Sequence, residues 1–207
     1  MATIPASTRM PTLDNWMTTD RSKSDIPAAA PLRGYQRLQT EIDAAIAEVV
    51  DSGWYVLGEA CTRFEASFSS YLGVEGAVGT ASGTDALEVA LRALGVGPGD
   101  EVLVPGLTAS ATATAVVRAG ARPVIVDVDP VSFTIDPEHA AAAVSGITKV
   151  MIPVHLYGHP ARLPELTPIA DRAGLVVVED CAQSHGATSS SRKCRGRLPL
   201  FGLSSTG

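Results

Sequence analysis

An acid, an amide and an imidazole stand close together in the segment EDCAQSHGA, residues 179–187. Asp180, Gln183 and His185 follow the apolar run Leu175, Val176, Val177 and Val178. An acid at the carboxyl end of a buried strand lies where an α/β sheet holds its ligand. Such an acid can bind a metal, act as a base or pair with a ring nitrogen. Beside a pyridinium nitrogen it keeps that nitrogen protonated, and so keeps the ring an electron sink. The plainer roles are a helix N-cap or a buried hydrogen-bond acceptor. His185 and His155 invite acid–base or metal chemistry, but no second ligand stands at useful sequence spacing. Cys181 reads as a small packed residue rather than a nucleophile, and no Ser-His-Asp arrangement is suggested.

A second segment, GTASGTD at residues 79–85, lies ahead of a helical pattern. Small residues let the backbone approach a ligand. The first N–H groups of a helix are unpaired and its dipole is positive there, so a phosphate fits. An ordinary Gly-rich turn with Thr84 or Asp85 as N-cap accounts for the same residues. The glycine spacing matches neither the Walker nor the dinucleotide pattern. The two segments point further together than apart. Pyridoxal phosphate, with a phosphate at one end and a ring nitrogen at the other, would bridge them.

The elements that position these residues follow from periodicity. Leu38, Ile42, Ile46 and Val49 share a helical face from Tyr35 onward, with Gly53 as the stop. A short helix through Phe64, Phe68 and Leu72 follows. The chain then alternates, with strands predicted at 76–79, 101–104, 123–128, 149–156 and 175–179. Helices are predicted at 84–94, 110–119, 137–144 and 163–173, the third opened by Asp136 as N-cap and Pro137 at its first position. Alternation of this kind predicts right-handed crossovers and an α/β fold with a mostly parallel sheet.

Composition agrees. The chain has 207 residues, 45% hydrophobic and 18% charged, enough for one good-sized domain or one and a fragment. A net charge of −6 argues against a nucleic-acid partner. The longest uncharged stretch, 102–117, is too short and too broken to span a membrane. Three cysteines without metal-ligand spacing, and no signal-peptide pattern, fit a reducing cytoplasm.

Six ordered segments carry a resemblance. They are EIDAAIAEVVDSGWYVLGE (41–59), ASGTDALEVALRALGVGPGDEVLVP (81–105), GARPVIVDVDP (120–130), TIDPEH (134–139), KVMIPVHLYGHPA (149–161) and VVEDCAQSHGA (177–187). In these the chain resembles the DegT/DnrJ/EryC1/StrS sugar aminotransferases. The resemblance implies a three-layer α/β fold, the N-terminal part of the large domain of a fold type I enzyme. It implies pyridoxal 5′-phosphate as cofactor and amino transfer, commonly from glutamate, onto a nucleotide-linked keto-sugar. The surroundings of Gly53, Trp54 and Tyr55 resemble members acting on dTDP-3-keto-6-deoxyhexoses. A homodimer is implied for the full-length enzyme. Gly83 and Thr84 would hold the cofactor phosphate, Asp180 would pair with the pyridine nitrogen, Gln183 would lie near the ring hydroxyl, and His185 would stand near the site.

Two departures stand out. The family's stacking aromatic follows a Thr, but here Thr108 is followed by Ala109. Such stacking contributes roughly 0.5–1.5 kcal/mol beyond area burial. The family also needs a Schiff-base lysine beyond the acid, and Lys23, Lys149 and Lys193 do not match it in spacing or surroundings. No catalytic residue is therefore assigned. The expected organisation is an extended or disordered leader (1–33), a partial cofactor-binding domain (34–188) and an atypical basic tail (189–207). A frameshift or premature stop would explain the tail. A non-catalytic binding protein that keeps the aminotransferase surface is the alternative function.

Overall fold

The computed structural model describes residues 30–188 and the backbone of 189, 192–193 and 198–200. The leader up to residue 29 and the rest of the basic tail lie outside the described residues.

The chain divides into two compact units, Met1–Val56 and Leu57–Gly207. In the first unit, helix α1 (Pro31–Ser52) starts ahead of Tyr35 because Pro31 suits the first turn, where an N–H has no partner anyway. It stops at Gly53, whose φ of 65° is left-handed.

The second unit opens with α2 (Glu59–Leu72) and α3 (Gly83–Ala93), and then alternates strands with helices. These are β1 (Glu101–Pro105), α4 (Ser110–Ala119), β2 (Arg122–Val126), α5 (Pro137–Ala143), β3 (Thr148–Met151), α6 (Leu163–Ala173) and β4 (Val176–Asp180). Thr188–Ser189 (β5) and Arg192–Lys193 (β6) form a small antiparallel pair, and Leu198–Leu200 (β7) lies parallel to β4. The main sheet runs β2-β1-β3-β4-β7, with every pairing parallel.

Strand side chains alternate between two cores. Val102, Val104, Val150, Ile152 and Val178 pack with Leu87 and Leu91 of α3 and Ala115, Val116 and Ala119 of α4. Leu103, Val126 and Met151 pack on the other side with Ala140 of α5 and Leu166 and Ala170 of α6. Helices therefore cover both faces of a parallel sheet, in the three layers anticipated from the sequence. β1 lies between β2 and β3, so the winding reverses there, and the crevice at the carboxyl ends of β1, β3 and β4 is where such folds hold ligands.

Three elements differ from their predicted extents. Residues 76–79 form no strand; Val78 is exposed and the Gly79 N–H donates to Glu65 Oε1 at 2.7 Å. β2 ends at Val126 because Val128 leaves β1 to bridge Ile135. β3 ends at Met151 because Pro153 has no N–H for a ladder. The extended chain continues, however: Asp180 N–H donates to Pro153 O and His155 N–H to Asp180 O, at 3.0 and 3.1 Å.

Candidate cofactor site

The candidate phosphate half of the site is the start of α3. Ser82, not Thr84 or Asp85, is the N-cap. Its Oγ accepts from the Asp85 N–H at 3.2 Å and donates to Asp85 Oδ2 at 2.8 Å. The Gly83 and Thr84 N–H groups are left without an acceptor among the described residues, as the first turn of a helix requires. The nearby negative charge of Asp85 is countered by Arg118 Nη1 of α4 at 3.0 Å. An anion at this helix end therefore meets open donors and a balanced carboxylate.

The acid half lies at the end of β4. Asp180 is buried, and it shares its strand face with Val178, whose core includes α3 and α4. Asp180 and the start of α3 thus belong to the same side of the sheet. Each carboxylate oxygen accepts one hydrogen bond. Oδ1 takes the Ala182 N–H at 3.1 Å and Oδ2 takes Thr112 Oγ1 at 3.2 Å. A carboxylate has about four acceptor positions, so capacity remains for a ring N–H. Ala109 sits at the N-cap of α4 and offers only a methyl group.

Gln183 is held by its oxygen. Oε1 accepts the Tyr157 N–H at 2.7 Å, and Tyr157 itself has a left-handed φ of 56°. That bond assigns the amide orientation and leaves the Gln183 NH2 as the end available to a ligand oxygen. His185 lies against Phe68 of α2, with ring centroids 6.1 Å apart. Gly186, at φ 78°, lets Tyr71 approach; a Cβ there would collide with Tyr71 Oη. The Ser184 hydroxyl is buried and has no hydrogen-bond partner among the described residues.

The fold also assembles what sequence spacing did not. Ligand atoms of His155, Glu179 and Cys181, all buried, lie within 4.8 Å of one another. The ring's hydrogen bonds argue against a metal. His155 Nδ1 accepts the Ala161 N–H at 2.8 Å, so it carries no proton. The ring proton is on Nε2, which donates to Glu179 Oε2 at 2.9 Å. A metal at Nε2 would push the proton to Nδ1, donor facing donor, the reverse of the usual support for a metal-bound histidine. The pair instead ties the chain after β3 to β4, beside Asp180. Sequence reading missed Ser82, Thr112, Tyr157 and Arg118. Ser82, three residues before Asp85, left the local trace of a helix cap, and Thr112 stands four residues after Thr108.

Comparison with known proteins gives the family. Residues 36–203 match the model of the DegT/DnrJ/EryC1/StrS aminotransferase family. The dTDP-3-amino-3,4,6-trideoxy-alpha-D-glucose transaminase of Streptomyces venezuelae is 50% identical over 159 residues, covering 77% of this chain and 42% of that protein. The crystal structure of S. venezuelae DesV in complex with a ketimine intermediate aligns with a TM-score of 0.80 at 47% identity, over 83% of this chain and 46% of that one. NtdA of Bacillus subtilis with bound cofactor PMP aligns with a TM-score of 0.75 at 35% identity, over 85% of this chain and 41% of that one. The chain thus spans less than half the length of these relatives. The fold is that of the fold type I aminotransferases, and the chain belongs to the DegT/DnrJ/EryC1/StrS aminotransferase family.

Proposed function

We propose that this chain is the cofactor-binding part of a pyridoxal-phosphate-dependent aminotransferase acting on a nucleotide-linked keto-sugar. The observation that carries this reading is Asp180, pinned through both oxygens on the sheet side that also holds the open N–H groups of Gly83 and Thr84. The residues fit the cofactor. Gly83 and Thr84 would take its phosphate, Asp180 its ring N–H, and the Gln183 NH2 its ring oxygen. The unpartnered Ser184 hydroxyl adds a polar atom in the loop after Asp180. When bound, the cofactor supplies an electron-poor ring that stabilises charge on the substrate carbon. Asp180 serves that chemistry by holding the ring proton in place.

The relatives' names favour a dTDP-linked deoxyhexose as acceptor; glutamate as donor rests on the family resemblance. A second copy is the partner of the full-length enzyme, in the cytoplasm; no helix among the described residues is long and apolar enough to cross a membrane. Lys149 is the second residue of β3, at the end of the sheet opposite Asp180, and takes no part in the site.

Titration with pyridoxamine 5′-phosphate, followed by cofactor fluorescence, tests the reading. The full chain is expected to bind saturably. Asp180→Asn should weaken binding by about tenfold or more, the loss of one charge-assisted hydrogen bond. Absence of saturable binding, or equal binding by the variant, removes the assignment.

A further inference from the structure

We infer that Thr112 is a positioning residue for Asp180, fixing the carboxylate that meets the cofactor ring; the inference rests on the proposed cofactor reading. Thr112 is fully buried in the first turn of α4. Its Oγ1 lies 3.2 Å from Asp180 Oδ2 and 3.1 Å from Thr108 Oγ1. A hydroxyl has one proton, and an ionised carboxylate can only accept. The Thr112 proton therefore goes to Asp180, and Thr108 must donate to Thr112. The relay runs one way, from the loop after β1 through α4 to the end of β4. It joins residues 68 apart in the chain.

Three physical points favour a role beyond packing. A buried hydroxyl costs stability unless it is hydrogen-bonded, so an apolar side chain of the same shape would suit the core alone better. The Thr112 oxygen is bonded on two sides, to Thr108 Oγ1 and Asp180 Oδ2, which holds it in one position. Asp180 Oδ1 is already held by the Ala182 N–H, and a second fixed donor on Oδ2 sets the plane of the carboxylate. That plane decides where a ring N–H can dock. It matters more here because Ala109 provides no stacking face, so ring orientation depends on the edge bond from Asp180.

The test compares pyridoxamine 5′-phosphate affinity for the full chain and for Thr112→Ser, Thr112→Ala and Thr112→Val, alone and combined with Asp180→Asn. Far-UV circular dichroism checks that each variant is folded. Thr112→Ser keeps the hydroxyl and should bind within about twofold of the parent. Thr112→Ala and Thr112→Val should each lose about tenfold, the effect of one hydrogen bond to a charged group. In the Asp180→Asn background neither should lose more, because the residue acts through Asp180. Serine and alanine differ only in the hydroxyl, so that comparison decides the matter if valine prevents folding. Equal affinity for the serine and alanine variants, or the same loss with and without Asp180, overturns the assignment. If the parent chain fails to bind, the cofactor reading itself falls and this inference falls with it. If the parent binds and Thr112→Ala binds equally well, only the role of Thr112 is lost.

Discussion

At the scale of single residues, the site is a set of side chains held in place by hydrogen bonds. Asp180 is pinned at both oxygens, Gln183 at its oxygen only, and His155 at both ring nitrogens. The Gln183 arrangement separates structure from binding in a testable way. Gln183→Glu keeps an acceptor for the Tyr157 N–H but loses the NH2 donor. Gln183→Ala loses both. Thermal melts should place the glutamate variant close to the parent and the alanine variant below it. Titrations with pyridoxamine 5′-phosphate should weaken in both. A glutamate variant that binds like the parent would show that the NH2 end faces no ligand. The sequence made Gln183 a candidate through its resemblance to a family. Which end of the amide was free depended on Tyr157, 26 residues away.

At the scale of elements, the connection between β2 and α5 is organised by Asp129. Its Oδ1 accepts the N–H groups of Val131 and Ser132 at 3.0 and 2.7 Å, and Arg162 Nη2, ahead of α6, approaches Oδ2 at 3.4 Å. The Ser132 N–H above all, with Val131 and Arg162 adding to it, holds the Asp129 carboxyl below its ordinary value of 3.8. A depressed carboxyl stabilises the fold fully above its unfolded value and loses that contribution as pH falls through the folded one. Asp129→Ala should therefore be less stable than the parent at neutral pH. The gap should narrow as pH falls below about 3.8, the ordinary value. Urea melts across that range measure it; a gap that is constant with pH would assign the effect to packing. The Asp136 N-cap of α5 was legible in the sequence because a cap acts within three residues. The Arg162 contacts with Asp129 and Asp136 were not, because they join separate elements.

At the scale of the whole molecule, many large apolar side chains remain in water. Leu57, Val78, Val131 and Tyr157 are each more than three-quarters exposed. Exposed apolar area favours association, and apolar contacts respond weakly to salt. Sedimentation over a range of concentrations should show self-association that persists at high ionic strength. A monomer at every concentration would remove the second copy from the proposed assembly. The order of strands and helices was readable from the sequence, because hydrophobic period, Pro31, Gly53 and the Asp136 cap act over a few residues. Sheet order was not, since β1 takes β2 on one side and β3 on the other by crossovers of similar pattern. The same limit governs the site. By itself the sequence determined that an acid ends β4 and that small residues open α3. Only the tertiary structure decided that His155 donates to Glu179 and that Thr112 holds Asp180. Both are bonds between residues far apart in the chain, and they exist only once the sheet has set its strands side by side.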